Sequence, residues 1–463
     1  MDPIVDRTVA EKIAVWALSW RHLPLPSEVD RQMELFLLNG LGASAAAIEH
    51  PWVRLLDEWA PTVAPGESCA SVMWRNRSTT IGNAAFVNAA MMEILDYNET
   101  HLEAFVHPTA PVWPAVQAVA QEHGSWLSES LKAAAIGIET ELLVATMLMP
   151  GHYERGFNPA VAAGAVGAAV GAGLAAGLDQ ERMTSAIGLA ALGGGGPLEA
   201  LGSIAHPLSI GRAARTGVEA AEHAAAGLIG PVGAIEAPFG LLKTMSDPGP
   251  DIAESAFESL GQEWRLLGPI AFKLFPTETI THASLQATLE LRSQATVSLR
   301  PPLKSLVLFV SPLVERVVTD RLASRAAPTN DLEARFDLTY CVAAAWVRGR
   351  LSLAEFAPDA IADPEILNVR SQVSLISDSD LPMTAAKARA VYGDGTSEEV
   401  KVAAFTGSPD QPLGIGPLVD KLRANIEGSE ANVDQLVDLV LGNAPDVQLT
   451  NFLALLDELG SKS

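Results

Sequence analysis

The run Ala84-Ala85-Phe86-Val87-Asn88-Ala89-Ala90-Met91-Met92-Glu93-Ile94-Leu95, continued by Asp96-Tyr97-Asn98-Glu99-Thr100-His101, decides how the chain folds. Ala84, Val87, Asn88, Met91 and Leu95 recur at the i, i+3, i+4, i+7 spacing of one helix face with very little charge between them, so the spacing predicts a helix buried on most sides. Its C-terminal end delivers Asp96 toward the interior, and Thr100 stacks on Asp96 if the last turn continues. Pro108 disfavours the α region at His107, so the chain turns extended there. A carboxylate, a hydroxyl and an imidazole can thus meet in one pocket. A plain helix end followed by a solvated loop presents the same residues.

The 463 residues permit two to four domains and a large core. Hydrophobic residues make up 48% and charged residues 19%, with heavy use of alanine, which suits packed helices rather than a sandwich of short strands. A net charge of −24 and the lack of a basic run argue against nucleic acid and against an anionic membrane surface. Cys69 and Cys341 are far apart and form no CxxC pair, so neither a disulfide framework nor a zinc site is suggested. The opening Met1-Asp2-Pro3-Ile4-Val5-Asp6 is acidic where a signal peptide is basic, and the expected location is cytoplasmic. Pro159 to Leu178 carries no charge and contains Gly167xxxGly171 and Gly173xxxGly177, but its Ala, Gly and Val composition fits close packing in a core better than a membrane span.

Residues 7 to 48 read as two amphipathic helices, followed by a looser section with Pro51, Pro61 and Pro65 and a short strand at Ala70 to Trp74. Pro114 at a first turn and Gly124 as terminator predict a helix from Pro114 to His123, with further helices near 126–149, 159–177 and 180–192. Gly193-Gly194-Gly195-Gly196-Pro197 lacks the Lys-Ser/Thr and the preceding strand of a phosphate cradle, and reads instead as backbone at a pocket wall. From about Gly268 the texture changes: Leu303 to Val310 is strand-like, Thr339 to Arg348 helical, and Ala386 to Tyr392 with Val400 to Phe405 a hairpin across Gly393-Asp394-Gly395. Helices return from about Leu418. The expected fold is mainly α: a large helical domain (1–268 and 411–463) interrupted by a smaller α+β domain (269–410).

Asn83-Ala84-Ala85-Phe86-Val87-Asn88-Ala89, Asp96-Tyr97-Asn98-Glu99-Thr100, His107-Pro108, Arg155-Gly156-Phe157-Asn158, Gly211-Arg212-Ala213-Ala214 and Lys273-Leu274-Phe275-Pro276 occur in this order. The order and spacing resemble the MmgE/PrpD family, which includes 2-methylcitrate dehydratase, cis-aconitate decarboxylase and iminodisuccinate epimerase. Arg335 to Tyr340 and the hairpin around Asp394-Gly395 extend the likeness over nearly the whole chain. The resemblance implies a homodimer of two-domain subunits with a pocket between the domains that uses no metal and no cofactor. It also implies a small carboxylate substrate, labilised next to a carboxylate. By position, Asp96, Thr100, His107 and Lys273 match residues that line that pocket.

The chain departs from the family pattern at several positions. Asn158 stands where the family usually has histidine, His206 where it has lysine, and Glu278 where cis-aconitate decarboxylase has histidine. One extra residue lies between Thr100 and His107. The loss of basic groups and gain of an acid argue against a triply charged tricarboxylate.

Removing a proton next to a carboxylate creates a dianionic enediolate, which needs a positioned base and fixed positive charge. Imidazole, with an ordinary pKa near neutrality, suits the base and makes His107 the candidate; Lys273 suits the charge. Lys273 can alternatively snorkel from a strand between Phe272 and Leu274. His206 is either a second acid/base or a core histidine, Asn158 orients a carboxylate or carbonyl, and Glu278 either pairs with Lys273 or acts as an acid. Arg155 and Arg212 are carboxylate clamps or surface ion pairs. Three functions remain open at this level: a dehydrating or decarboxylating lyase, an isomerase or epimerase with two acid/base groups, and a non-catalytic ligand-binding homologue.

Overall fold

Thr8 accepts a hydrogen bond from the Glu11 amide and Glu11 accepts one from the Thr8 amide, and this capping box starts helix α1 (Val9–Ser19). The computed structural model describes residues 7–63, 68–246, 256–294, 301–322, 326–426 and 429–460. The acidic N-terminus Met1–Asp6 and Pro65 lie outside the described residues. Helix α2 (Ser27–Ala46) follows, as the sequence predicts. The section read as loose is instead helix α3 (Pro51–Trp59), because Pro51 occupies the first helical position behind a His50 cap. Strands β1 (Ala70–Val72) and β2 (Arg77–Thr79) form a short antiparallel hairpin ahead of α4 (Ile81–Glu93).

Helix α4 is the predicted buried helix: all its residues except Gly82 and Asn83 are buried. Its end differs from expectation. The last turn does not continue through Asp96, so Thr100 does not stack on it; Asp96 adopts a left-handed conformation with φ 47°. Thr100 instead enters strand β3 (Thr100–His101). Helix α5 runs Thr109–Glu122, starting before Pro114 because Pro111 already sits in its first turn and the Glu99 carboxylate accepts from the Thr109 amide at 2.9 Å. Helices α6 (Leu127–Leu148), α7 (Gly151–Glu154), α8 (Pro159–Ala175), α9 (Gln180–Ala191) and α10 (Ala205–Ala225) complete the first bundle.

Helix α8 packs against α5, α6 and α10 and is buried along nearly all its length. A Cβ on Gly167 would lie 2.6 Å from the Gly137 carbonyl, so the glycines let α6 and α8 approach closely. Among the described residues no helix is long and apolar enough to cross a membrane.

Strand β4 (Ile270–Ala271) pairs with β3 in the register Thr100 to Ala271 and His101 to Ile270. This junction ties the loop after α4 to the segment carrying Lys273. The smaller unit is a four-stranded sheet in the order β6-β5-β7-β8, built from β5 (Leu303–Val310), β6 (Val373–Ser377), β7 (Ala386–Tyr392) and β8 (Ser397–Val402). The β7–β8 hairpin matches the sequence reading, whereas β6 runs parallel to β5 and was not foreseen. Helices His282–Ser293 and Leu338–Arg348 pack with this sheet.

Two main hydrophobic cores result. One holds residues from Val9 to Phe272, Leu332, and again residues from Leu413 to Leu459; the other draws on residues between Leu285 and Val402. On this basis we propose domain limits of 1–268 with 411–463, and 269–410.

Candidate active site

Helix α4 ends in a turn in which the Asp96 amide donates to the Glu93 carbonyl at 2.8 Å. Aspartate tolerates the left-handed region better than most residues, and that conformation swings the Asp96 carboxylate inward. Two residues beyond β4, Lys273 reaches the same place from the opposite strand. Its Nζ donates to Asp96 Oδ1, and it is 1% exposed, so it does not snorkel to solvent.

A tight loop brings in His107. The chain reverses between His101 and Val106, whose backbones form a bridge, with Phe105 at φ 52°. His107 Nδ1 lies 2.8 Å from the Glu99 carbonyl, a contact that puts the proton on Nδ1 and leaves the Nε2 lone pair free. Nε2 is 3.9 Å from Asp96 Oδ1 and 3.7 Å from Glu93 Oε1. Thr100 Oγ1 is 2.7 Å from Thr279 Oγ1 and 3.4 Å from His107 Nδ1.

The other wall comes from two helix starts. Asn158 caps α8, its Oδ1 accepting from the Ala160 amide at 3.0 Å. Its own amide donates to the Gly196 carbonyl at 2.6 Å, which fixes the glycine run beside the site. His206, in the first turn of α10, places Nε2 2.9 Å from Glu93 Oε1. Helices α5, α8 and α10 therefore all begin near the cavity, with first-turn amides already bonded, Thr109 to Glu99, Ala160 to Asn158 and His206 to the Ser203 carbonyl.

These groups line a cavity of about 700 Å³ including its open mouth. Asp96, Thr100, His107, Asn158, His206, Lys273 and Glu278 all border it, together with apolar side chains such as Leu102, Phe105, Leu313 and Met383. Leu313 and Met383 come from the smaller domain, so the cavity is shared between the two cores. Arg155 and Arg212 do not join them: both are exposed and neither borders the cavity. In this chain the fixed cation at the cavity is Lys273 rather than an arginine clamp.

Sequence reasoning missed Glu93, which is fully buried and faces both imidazoles. The signal was available, since Glu93 is the one charged residue between Ile81 and Leu95. It also missed the support beneath the site. Glu99 accepts from Asn39 Nδ2 at 2.7 Å, and Lys421 Nζ donates to Asn39 Oδ1 at 2.8 Å. Lys421 also donates to the Tyr97 carbonyl, so the returning C-terminal helices brace the loop that carries Thr100 and His107.

Burial and charge oppose one another here. Burial raises the Asp96 pKa, but the Lys273 ammonium together with His107 and His206 outweighs it and the carboxyl is held down at about 2. Burial likewise penalises ionised Glu93, yet His107 and His206 keep its pKa below the usual carboxylate range. Glu141, behind the site, is pushed well up by burial and by Glu99 and Glu93. The result is two ionised carboxylates beside one ammonium and two imidazoles, an arrangement suited to moving protons.

The family model for the MmgE/PrpD N-terminal domain matches residues 11–253, and that for the MmgE/PrpD C-terminal domain matches residues 275–443. The chain belongs to the MmgE/PrpD family. It is 28% identical over 372 residues to cis-aconitate decarboxylase of Homo sapiens, covering 77% of this chain and 75% of that protein. It is 22% identical over 479 residues to cis-aconitate decarboxylase of Aspergillus terreus, covering 97% and 96% of the two chains. A third relative, the cis-aconitate decarboxylase-like protein oryM of Aspergillus oryzae, is 23% identical over 482 residues and covers 98% of each chain. Within the MmgE/PrpD family these relatives support a lyase-type activity.

Proposed function

We propose that the chain is a lyase that dehydrates or decarboxylates a small organic acid by proton chemistry next to a carboxylate. The observation that carries this reading is the orientation of His107: with Nδ1 held by the Glu99 carbonyl, Nε2 faces a cavity whose fixed charge is Lys273. A substrate carboxylate seats against Lys273 with Asn158 beside it. His107 Nε2 takes the proton from the adjacent carbon, and the enediolate charge builds toward the Lys273 ammonium. In a dehydration the C–O bond then breaks and the hydroxide leaves as water with a proton from His206. A decarboxylation omits that abstraction: the C–C bond to the leaving carboxylate breaks, CO₂ departs, the electron pair spreads into the remaining carboxylate beside Lys273, and a protonated imidazole, His107 or His206, delivers one proton to the carbon.

The isomerase reading uses the same two histidines, but their spacing favours the lyase. A two-base inversion puts a base on each face of one carbon, roughly 6–7 Å apart if each reacting atom is about 3–3.5 Å away. Here one ring nitrogen of each histidine lies within 4.8 Å of the other. They serve neighbouring atoms on one side more readily than opposite faces of one carbon. The side chains named above carry the chemistry without a metal or cofactor.

The proposal includes a homodimer acting in the cytoplasm. Ile229 and Phe239 are 79% and 90% exposed, apolar surface that self-association would cover. The test of function is product analysis of a panel of small di- and tricarboxylates. Loss of water or CO₂ supports the lyase; exchange of a C–H with solvent at unchanged mass otherwise supports the isomerase; inertness toward every compound rejects both.

A further inference from the structure

Three donor atoms converge at the floor of the cavity without satisfying one another. Glu93 Oε1 and His206 Nε2 lie 2.9 Å apart and both side chains are buried. Neither atom nevertheless makes a hydrogen bond of normal geometry among the described residues. His107 Nε2 approaches the same oxygen at 3.7 Å, and one nitrogen of each ring lies with that oxygen inside a 4.8 Å cluster. Ligands placed about 2.0–2.2 Å from a tetrahedral ion stand roughly 3.3 Å from one another. The observed 2.9 and 3.7 Å bracket that spacing.

The surroundings are those of a ligand set. His107 Nδ1 is held by the Glu99 carbonyl at 2.8 Å, which aims Nε2, and Glu93 Oε2 accepts from Asn98 Nδ2 at 2.7 Å, which leaves Oε1 to face the rings. We propose that Glu93, His107 and His206 form a binding site for a divalent transition-metal ion of borderline softness, Zn²⁺ in character, with its fourth position open to the cavity. Two imidazoles and one carboxylate are the donors such an ion takes where one position stays open.

Ligation through His206 Nε2 puts the proton on Nδ1. Asn158 Nδ2 lies 3.5 Å from that nitrogen, too far to hold the opposite tautomer firmly, and it shifts aside. The lysine usual in the family at this position supplies no such ligand, so the site belongs to this chain's departure from the family pattern. A bound ion occupies the His107 lone pair that proton abstraction needs. It therefore inhibits the lyase.

The test uses untagged, chelator-stripped full-length protein titrated with Co²⁺ and with Zn²⁺, read by calorimetry and by the visible spectrum of Co²⁺. The expected result is one ion per chain with the intense bands of low-coordinate Co²⁺. Affinity falls by at least about 100-fold in Glu93→Gln and in His206→Lys, beyond the loss typical of outer-shell changes. Circular dichroism checks that both variants fold, and the wild-type spectrum stands without them. No saturable uptake, octahedral Co²⁺ only, or uptake unchanged by both variants overturns the site. Binding is read without turnover, so it stands or falls separately from the lyase reading.

Discussion

Lys273 donates to Asp96 across the pairing of β4 with β3, and both side chains are almost completely withdrawn from solvent, at 1% and 3% exposure. A buried pair of this kind is costly to assemble but more costly to break, because removing one partner strands the other's charge. Asp96→Asn is expected to destabilise the protein by about 3–5 kcal/mol and to abolish activity. The double change Asp96→Asn with Lys273→Met recovers much of the stability and none of the activity. Chemical denaturation of the three variants measures both; additive losses in the double variant contradict the coupling.

Two buried histidines weaken the fold in acid, opposed by Glu139, Glu141 and Asp457, whose carboxyls burial pushes up so that they favour the folded chain as pH falls. Burial drives the His282 pKa down to about 3 and the His101 pKa down to about 4, so both stay neutral in the folded chain while the unfolded chain takes up protons near pH 6.5. At these two rings the unfolded state binds more protons between about pH 6.5 and 4, and their contribution to stability falls as pH falls, by up to about 1.4 kcal/mol per pH unit for each ring. Asp96 acts in the same direction at lower pH: its contribution is complete above pH 3.8 and is lost as pH falls through about 2. In a thermal-melting series from pH 8 to pH 4, His282→Gln loses less stability on acidification than the wild type. An unchanged slope in that variant refutes the assignment.

Much of this architecture was legible in the chain. The uncharged periodicity of α4, the alternation of Leu303–Val310 and the Asp394-Gly395 turn state their structures directly, because burial and turn chemistry are local patterns. The exit from α4 was not legible. Its end is set by the left-handed Asp96 and by the pairing of β3 with β4, a contact between residues about 170 positions apart that no periodicity records. The site's seven cavity residues could be named from the motifs and Glu93 from its lone charge on a buried helix, while the Lys421–Asn39–Glu99 support, joined across more than 300 positions, could not. Arg155 and Arg212 looked like clamps by residue type, but exposure is decided by the helix face, which their short motifs do not define.

The support should matter to rate as well as stability. Lys421→Met removes the donor that braces Asn39 and the Tyr97 carbonyl, freeing the loop whose Glu99 carbonyl orients His107. The expected effect is a lower kcat with little change in KM, since Lys421 does not border the cavity. Steady-state kinetics on the preferred acid tests this, and a rise in KM alone contradicts it.

The small-residue packing of α6 against α8 carries its own prediction. A methyl group on Gly167 would meet the Gly137 carbonyl at 2.6 Å and the Glu141 Cβ at 2.7 Å, neither of which can move without shifting a helix. Gly167→Ala is expected to cost about 1–3 kcal/mol by overpacking. Gly395→Ala serves as a comparison, because it strains a positive φ on an exposed hairpin and crowds nothing. Equal stability of Gly167→Ala and the native chain in urea unfolding would show that the helices are not in close contact.

His107 Nε2 moves a proton at a carbon next to a carboxylate in the proposed reaction, and proton NMR in deuterated buffer, on wild type and His107→Ala with a panel of small di- and tricarboxylates, reads that step. One acid is expected to lose water, its abstracted proton passing to solvent, or to lose CO₂ with deuterium entering the product, and His107→Ala to slow this by about 10²–10⁴-fold while remaining folded. Turnover that persists undiminished in His107→Ala would contradict it.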